Sequence, residues 1–316
     1  PGRHSLYMGS VRLKEEAERW DEEEGRLYTV QVQADGMREK ETAFGIRDFG
    51  ENENHRLTLN GRVFFLRGEA NCAVFPETGH PPMDLEAWKR ILSVYASYGV
   101  NCVRFHSWCP PEAAFYAADQ MGMMMQPELS NWNYEDAFET EEDYAYYREE
   151  LTVIIRMLAN HPSFVMLSFG NELWAEALGH ERMDELLDLA HALDNTRLYA
   201  NSSNPHYGMR GTDRKSDFYT SHNYRSYLIR GSGANMEGHI NQAYPNARTN
   251  FSEGVRIARD EYGHPVFSFE VGQFEVLPDF SEISSFQGVT RAVNLELVRE
   301  EAAKRGYLEE WPRWVE

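Results

Sequence analysis

Two glutamates, Glu172 and Glu270, each follow a short apolar run of sequence. Residues 163–169 lead through Gly170 and Asn171 to the first, and residues 266–269 lead directly to the second. Two carboxylates that lie close together in one substrate-binding cleft can cleave a glycosidic bond, because one protonates the leaving oxygen while the other attacks the anomeric carbon. Asn171, beside the first carboxylate, could hold the sugar 2-hydroxyl, a contact that strengthens in the transition state. The sequence therefore predicts carbohydrate chemistry at these two glutamates.

Two other interpretations of the acidic residues stay open. Asn171 and Glu172 could simply cap a helix that begins near Leu173. Alternatively, Glu128 and Glu172 could be oxygen ligands of a divalent metal ion. That set lacks a third acidic strand end and a suitable histidine, so we expect neither a metal site nor a cofactor.

The elements that must position these residues alternate between strands and helices from about residue 64 onward. Strands are predicted at residues 64–71, 100–107, 121–128, 164–172, 197–202, 217–224 and 266–272. Helices are predicted at 85–98 (capped by Asp84), 112–120, 141–159, 181–193 and 290–305. Repeated strand–helix units predict an α/β fold, a (β/α)8 TIM barrel whose chemistry lies at the carboxyl ends of the strands. No eighth apolar run follows before Glu316, so we expect the barrel to be incomplete at its C-terminal end.

The first part of the chain has a different pattern. Residues 26–35 and 41–48 read as two strands, and residues 57–67 as a hairpin turning at Asn60 and Gly61. Two or three strands do not make a stable domain alone. We therefore predict that residues 1–47 are the C-terminal part of a β-sandwich and that residues 48–316 are the barrel domain, lacking its last strand.

Composition narrows the class of partner. The 316 residues are 42% hydrophobic and 13% aromatic, which indicates a globular chain. A formal net charge of −20 argues against a nucleic-acid partner, and no apolar run is long enough to predict a membrane span. The three cysteines show no zinc-site spacing. Whether the protein is cytoplasmic or is secreted or periplasmic, and whether it forms a homo-oligomer, stays open.

Several segments, taken together, carry a family resemblance. They are Asn160–Glu172, Pro265–Glu270, Phe44–Arg47, Leu59–Gly61, Leu66–Gly68, Asn101–Arg104 with His106, Trp108 and Pro110, and Asp119–Gly122 with Glu128. The first resembles the acid/base signature, and the second the nucleophile segment, of glycoside hydrolase family 2, the β-galactosidase and β-glucuronidase family. The next three resemble the junction between that family's immunoglobulin-like sandwich and its barrel.

The resemblance implies a retaining, exo-acting β-glycoside hydrolase with a double-displacement mechanism. By that resemblance, Glu172 is the acid/base, Glu270 is the nucleophile, and Tyr224 hydrogen-bonds the nucleophile. Arg104 would hold the nucleophile carboxylate in its ionised form. The remaining candidates for substrate contact are Asn171, His106, His222, Trp108, Trp174 and Glu128, with Trp132 as a further aromatic ring that could stack on a sugar. Structural roles for the histidines and for some of these rings remain open.

Some residues depart from the family pattern and leave the sugar undetermined. Leu167 stands where the family commonly has tryptophan, Cys72 where it often has histidine, and the Glu128 segment lacks a histidine that helps to bind magnesium in some β-galactosidases. Two other classes fit parts of the sequence: a non-catalytic carbohydrate-binding barrel, and an endo-acting barrel glycosidase of the same clan. Both carboxylates are present, which disfavours the first. The predicted sandwich strands disfavour the second.

Overall fold

The computed structural model describes residues 10, 12, 16–33, 36, 39–203, 215–221, 223–225, 227–229, 252–268, 270 and 277–315. Its first strands form two small antiparallel sheets. Strands β1 (Tyr28–Val32) and β2 (Lys40–Phe44) pair as a hairpin, and β3 (Phe49–Glu51), β4 (Leu57–Leu59) and β5 (Arg62–Val63) form a three-stranded sheet. The predicted turn at Asn60 and Gly61 is confirmed, since both residues have positive φ. Strand β3 was not predicted.

Seven parallel strands in the described residues follow the predicted barrel order. They are β6 (Gly68–Asn71), β7 (Cys102–Phe105), β8 (Met124–Gln126), β9 (Met166–Ser168), β10 (Leu198–Ala200), β11 (Tyr219–Ser221) and β14 (Val266–Ser268). Between β11 and β14 lie two short strands that pair with each other, β12 (Asn223–Tyr224) and β13 (Tyr227–Leu228). Strands β6, β7 and β8 pair in parallel, as do β9 with β10 and β11 with β14. Single parallel bridges, such as Met125 to Phe164, join β8 to the strand that follows. The predicted TIM-barrel architecture is confirmed.

Helices cover the outside of these strands. They are α1 (Leu85–Ser97), α2 (Glu112–Met121), α3 (Glu141–Met157), α4 (Ala177–Leu193), α5 (Ser252–Tyr262), α6 (Val293–Lys304) and α7 (Trp311–Val315). Asp84 caps α1 as predicted, since its side chain accepts a hydrogen bond from the Ala87 amide. Helix α5 was not predicted, because its few apolar residues form a narrow stripe against Tyr219 and Tyr224. Residues 277–315 contain a 3-10 turn and two helices but no strand. None of the helices in the described part of the chain is both long and apolar enough to cross a bilayer.

Alternation along each strand divides the core into an outer and an inner layer. In β7, Val103 and Phe105 pack outward against the helices, whereas Cys102 belongs to the inner cluster. Because neighbouring side chains of a strand point to opposite faces, Arg104 is directed inward with Cys102. The same alternation places Met125 outside and Met124 inside. The inward positions nearest the carboxyl ends are thus the ones available for chemistry.

The three-stranded sheet of β3, β4 and β5 closes the amino-terminal end of the barrel. Leu57, Leu59 and Phe49 pack with Trp20 against the first inward residues of the barrel strands, among them Met124. The Trp20 indole donates to the Asp119 carbonyl at 2.7 Å. Arg47 adds a second fastening, donating from its three guanidinium nitrogens to the carbonyls of Pro162, Phe164 and Thr196. The division of the chain at residue 47 stays a prediction.

The floor of the barrel gives a direct stability test. Leu59 is fully buried, whereas Val63, on the adjoining strand, is 55% exposed. We expect Leu59→Ala to lower the free energy of unfolding by about 2–5 kcal/mol, because it removes buried methyl groups and leaves a cavity. The matched Val63→Ala change should cost less than about 0.5 kcal/mol. Chemical denaturation of both variants measures the difference, and equal losses would contradict this view of the floor.

Candidate active site

The guanidinium of Arg104 joins three strand ends at the barrel mouth. Its Nε and Nη2 donate to the two carboxylate oxygens of Glu128 at 2.7 and 3.1 Å. Nη2 also donates to Asn171 Oδ1 at 2.7 Å. Nη1 lies 3.7 Å from Glu270 Oε1. One planar cation therefore connects the segments that carry both candidate catalytic glutamates, as the fixed fork geometry of arginine allows.

Glu128 lies below the solvent-exposed surface of the barrel mouth. Its side chain is fully buried, and besides Arg104 it accepts hydrogen bonds from the Ser107 amide and the Ser203 hydroxyl. A buried carboxylate is stable only when it is paired and hydrogen-bonded, and this one is both. The geometry therefore suits Glu128 to holding Arg104 in place.

A strained turn after β9 delivers Asn171 and Glu172. Gly170 has a φ of 142° and Glu172 a φ of 50°, in the left-handed region that costs a non-glycine residue about 1–2 kcal/mol. A Cβ on Gly170 would collide with the Asn131 carbonyl oxygen. Backbone hydrogen bonds clamp the turn from both sides, from Asn171 N to Asn131 O at 3.0 Å and from Glu172 N to Ser203 O at 2.8 Å. The turn is thus held by its two neighbours in the barrel.

The Asn171 side chain is fully buried beside Arg104. Its Nδ2 has no hydrogen-bond acceptor among the residues that the structure describes. Buried amide nitrogens are rarely left in this condition. Its donor capacity fits the predicted contact with a substrate hydroxyl.

Glu270 follows β14 in the same kind of conformation. Its φ is 46°, and its side chain is 18% exposed, so the carboxylate is partly accessible from the mouth. The guanidinium of Arg104 faces it. Glu172 and Glu270 thus both stand at strand ends with positive φ, and Arg104 contacts Glu270 and Asn171, the neighbour of Glu172.

Three aromatic side chains gather on the Glu172 side of the mouth. The Trp132 indole Nε1 donates to Glu172 Oε2 at 3.2 Å. The His106 ring meets Trp132 edge-on with centroids 4.8 Å apart, and Tyr134 meets it at 6.2 Å. Of the predicted substrate contacts, His106 is therefore linked to Glu172 through Trp132.

The remaining predicted site residues are Trp108, Tyr224, Trp174 and His222, and their roles in the site stay predictions. Trp108 packs edge-on against Phe75 and Phe105, and its indole donates to the Asn71 carbonyl, so it belongs to the outer core. Tyr224 is buried, and its ring meets that of Tyr219 edge-on. Trp174 is half-buried, and its backbone bonds to Asn133 and Ala137. His222 lies outside the described residues.

Cys72 lies just after β6 at the same mouth. Although the residue is exposed, partial desolvation raises the pKa of its thiol, with Arg104 lowering it and Glu270 raising it to smaller extents. The charges of Arg104 and Glu270 therefore both affect the pKa of the Cys72 thiol.

The residues that the structure describes include no group of three or more histidine, cysteine, aspartate or glutamate side chains placed to bind a metal ion. In the suggested Glu128–Glu172 pair, both Glu128 oxygens already accept hydrogen bonds from Arg104. The guanidinium therefore already engages both oxygens of one member of the suggested pair.

Sequence reasoning missed two contributors to the network. The Ser203 hydroxyl donates to Glu128, and the Ser107 amide donates to the same carboxylate at 2.7 Å from a residue with a φ of 56°. Ser107 is the last residue of the predicted strand 100–107, and Ser203 directly follows the predicted strand 197–202. Their position at carboxyl strand ends was the signal that could have identified them.

The buried carboxylate predicts a large effect of a small change. Glu128→Gln leaves Arg104 facing a neutral amide that has one accepting oxygen in place of two, so we expect the free energy of unfolding to fall by about 3–5 kcal/mol. The exposed residue Glu135 offers a matched control, since Glu135→Gln should change stability by less than about 0.5 kcal/mol. Thermal and denaturant unfolding provide the comparison. Equal stability of the two variants would mean that Glu128 does not anchor Arg104.

Comparisons with known proteins agree with this architecture. Residues 51–268 match the family model described as glycosyl hydrolases family 2, TIM barrel domain. A putative β-glucuronidase of Formosa agariphila is 27% identical over 191 residues, covering 56% of this chain and 23% of that protein. A β-galactosidase of Bacteroides ovatus is 27% identical over 210 residues, covering 60% of this chain and 24% of that protein.

A solved structure shows the likeness in fold. The β-glucuronidase of Parabacteroides merdae, with glycerol in its active site, superposes with a TM-score of 0.62 at 21% identity, covering 78% of this chain and 30% of that one. The chain spans about a quarter of the length of the two curated relatives. The family match covers more than half of the chain. The chain therefore belongs to glycosyl hydrolase family 2, a family of O-glycosyl hydrolases, and carries its TIM barrel domain.

Proposed function

We propose that the protein is a retaining, exo-acting β-glycoside hydrolase, β-galactosidase- or β-glucuronidase-like in its substrate. Glu172 is the acid/base and Glu270 is the nucleophile. The observation that carries the proposal is the reach of Arg104, which contacts both Glu270 and Asn171, the neighbour of Glu172. Exo action and the class of sugar come from the family resemblance and from the names of the relatives.

The first step breaks the glycosidic bond. Glu270 attacks the anomeric carbon, and Glu172 gives its proton to the departing oxygen, which leaves as an alcohol. The guanidinium of Arg104, whose Nη1 lies 3.7 Å from Glu270 Oε1, helps to orient the nucleophile. The product of this step is a covalent glycosyl ester on Glu270.

The second step hydrolyses that ester. Glu172, now ionised, takes a proton from water as the water attacks the anomeric carbon, and Glu270 is released as a carboxylate. The anomeric configuration is therefore retained after two inversions. The Trp132 indole, which donates to Glu172, is placed to stabilise that carboxylate between the two steps.

The amide of Asn171 supports the transition state. Its Oδ1 is fixed by Arg104, while its Nδ2 has no acceptor among the described residues. A bound sugar whose 2-hydroxyl approaches the buried strand end would supply that acceptor. Glu128, Ser203 and the Ser107 amide act through Arg104, as positioning groups.

Different losses are expected for the two glutamates. Glu172→Gln should lower kcat/KM for alkyl β-glycosides by about 10²–10⁴, the usual contribution of a general acid. It should largely spare dinitrophenyl glycosides, whose leaving group needs no proton. Glu270→Gln should abolish turnover of both classes, because no glycosyl ester can form. Release assays over a panel of aryl and alkyl β-glycosides measure both effects and also identify the sugar.

A covalent trap tests the roles independently of rates. A 2-deoxy-2-fluoro β-glycoside of that sugar, with an activated leaving group, should add one glycosyl unit to the protein by intact mass, and peptide mapping should place it on Glu270. Glu253→Gln, at an exposed position of α5, is the control that should label normally. A label on another residue, or product with inverted configuration by NMR, would refute the assignment. Cleavage confined to internal bonds of a polysaccharide would favour an endo-acting enzyme instead.

A further inference from the structure

Trp132 combines exposure with a fixed position. Its side chain is 53% exposed, although its indole donates to Glu172 at 3.2 Å. His106 and Tyr134 meet the ring at interplanar angles of 79° and 75°, so their edges fix its plane. An indole held in this way presents an ordered apolar surface to solvent, as rings that stack on ligands do.

The contact with Glu172 determines which part of a substrate this surface would meet. The acid/base must reach the glycosidic oxygen, and the leaving group lies beyond that oxygen. Glu270, by contrast, is tied to Arg104. The surface of Trp132 therefore adjoins the leaving-group side of the scissile bond.

The two other candidate rings are both less exposed than Trp132. The Trp108 indole is enclosed by Phe75, Trp88 and Phe105 and donates its N–H to a backbone carbonyl. Trp174 is half-buried. Trp132 is thus the most exposed of the three predicted stacking rings, and it contacts Glu172.

We propose that Trp132 is a specificity-determining platform on which the leaving group of the substrate stacks, so that the protein prefers β-glycosides whose aglycone presents a ring face. The inference rests on the proposed function, because it takes Glu172 as the acid/base. Two kinds of aglycone share the required chemistry: an aromatic ring and the apolar face of a second sugar ring.

The test compares leaving groups of similar acidity. Methyl and benzyl β-glycosides of the sugar found in the release panel differ in the presence of a ring but need the same help from the acid. The measured quantity is the ratio of kcat/KM for the benzyl glycoside to kcat/KM for the methyl glycoside. A β-linked disaccharide with the same terminal sugar provides the carbohydrate arm.

Three changes at Trp132 separate the ring from its N–H group. Trp132→Ala and Trp132→Leu should lower the benzyl-to-methyl ratio about two- to tenfold, the contribution of one aromatic contact. Trp132→Phe keeps a ring and should keep most of the ratio, while both glycosides lose activity alike because the donor to Glu172 is gone. Trp314→Ala, which removes a tryptophan that is 45% exposed in α7, should leave the ratio unchanged.

A binding measurement separates this inference from the proposed function. Calorimetry with the benzyl and methyl 1-thio-β-glycosides, which resist hydrolysis, should show tighter binding of the benzyl compound and loss of that preference in Trp132→Ala. If the unmodified protein hydrolyses no glycoside, but Trp132→Ala loses the binding preference for the benzyl compound, the proposed hydrolase activity is refuted and the platform is supported. Normal hydrolysis with an unchanged ratio in Trp132→Ala and Trp132→Leu would overturn the platform alone. A larger loss on the disaccharide than on the benzyl glycoside would identify a sugar as the aglycone, and the reverse would identify an aromatic group.

Discussion

The charge of Arg104 is the constraint on which the rest of the site depends. A guanidinium is always protonated and offers five N–H donors in a plane, so an inward-facing arginine must be surrounded by acceptors. Glu128 supplies two of them from a fully buried position, and Asn171 supplies another. Removing one partner would leave a buried charge without compensation, which costs far more than the pair contributes. The chemistry and the stability of the mouth are therefore coupled through one side chain.

The barrel supplies the rigidity that this coupling needs. Outward residues such as Val103 pack beneath the helices, and the N-terminal sheet fills the opposite end of the barrel with Leu59 and Trp20. Close-packed interiors resist small displacements. A displacement of about 1 Å in a catalytic group can cost about a hundredfold in rate. The tightly packed side chains at the amino-terminal end of the barrel therefore help to keep the groups at the opposite end in position.

Backbone strain is present at the strand ends that carry the two candidate catalytic glutamates. Glu172 and Glu270 both have positive φ, at 50° and 46°, and Ser107 has a φ of 56°. Such conformations persist only where the surroundings determine them, and they cluster at functional sites. For Glu172 the surroundings are visible: Asn131 and Ser203 bond the turn from both sides. Substitutions that relax these turns would stabilise the protein, but they would also change the orientation of the Glu172 and Glu270 carboxylates.

The sequence by itself determined the seven barrel strands, most of the helices between them, and the two glutamates at strand ends. These follow from local patterns: apolar runs of strand length, the cap at Asp84, and polar residues immediately after each run. Helix α5 escaped because its apolar stripe is narrow, and β3 because it gains its meaning only from pairing with β4. Only the tertiary structure decided that Glu128 is a buried anchor, that Ser203 supports it, and that Trp132 rather than Trp108 touches Glu172. Those assignments depend on contacts between residues that are tens of positions apart in the chain. A local sequence pattern does not specify which distant residues a strand or loop will contact.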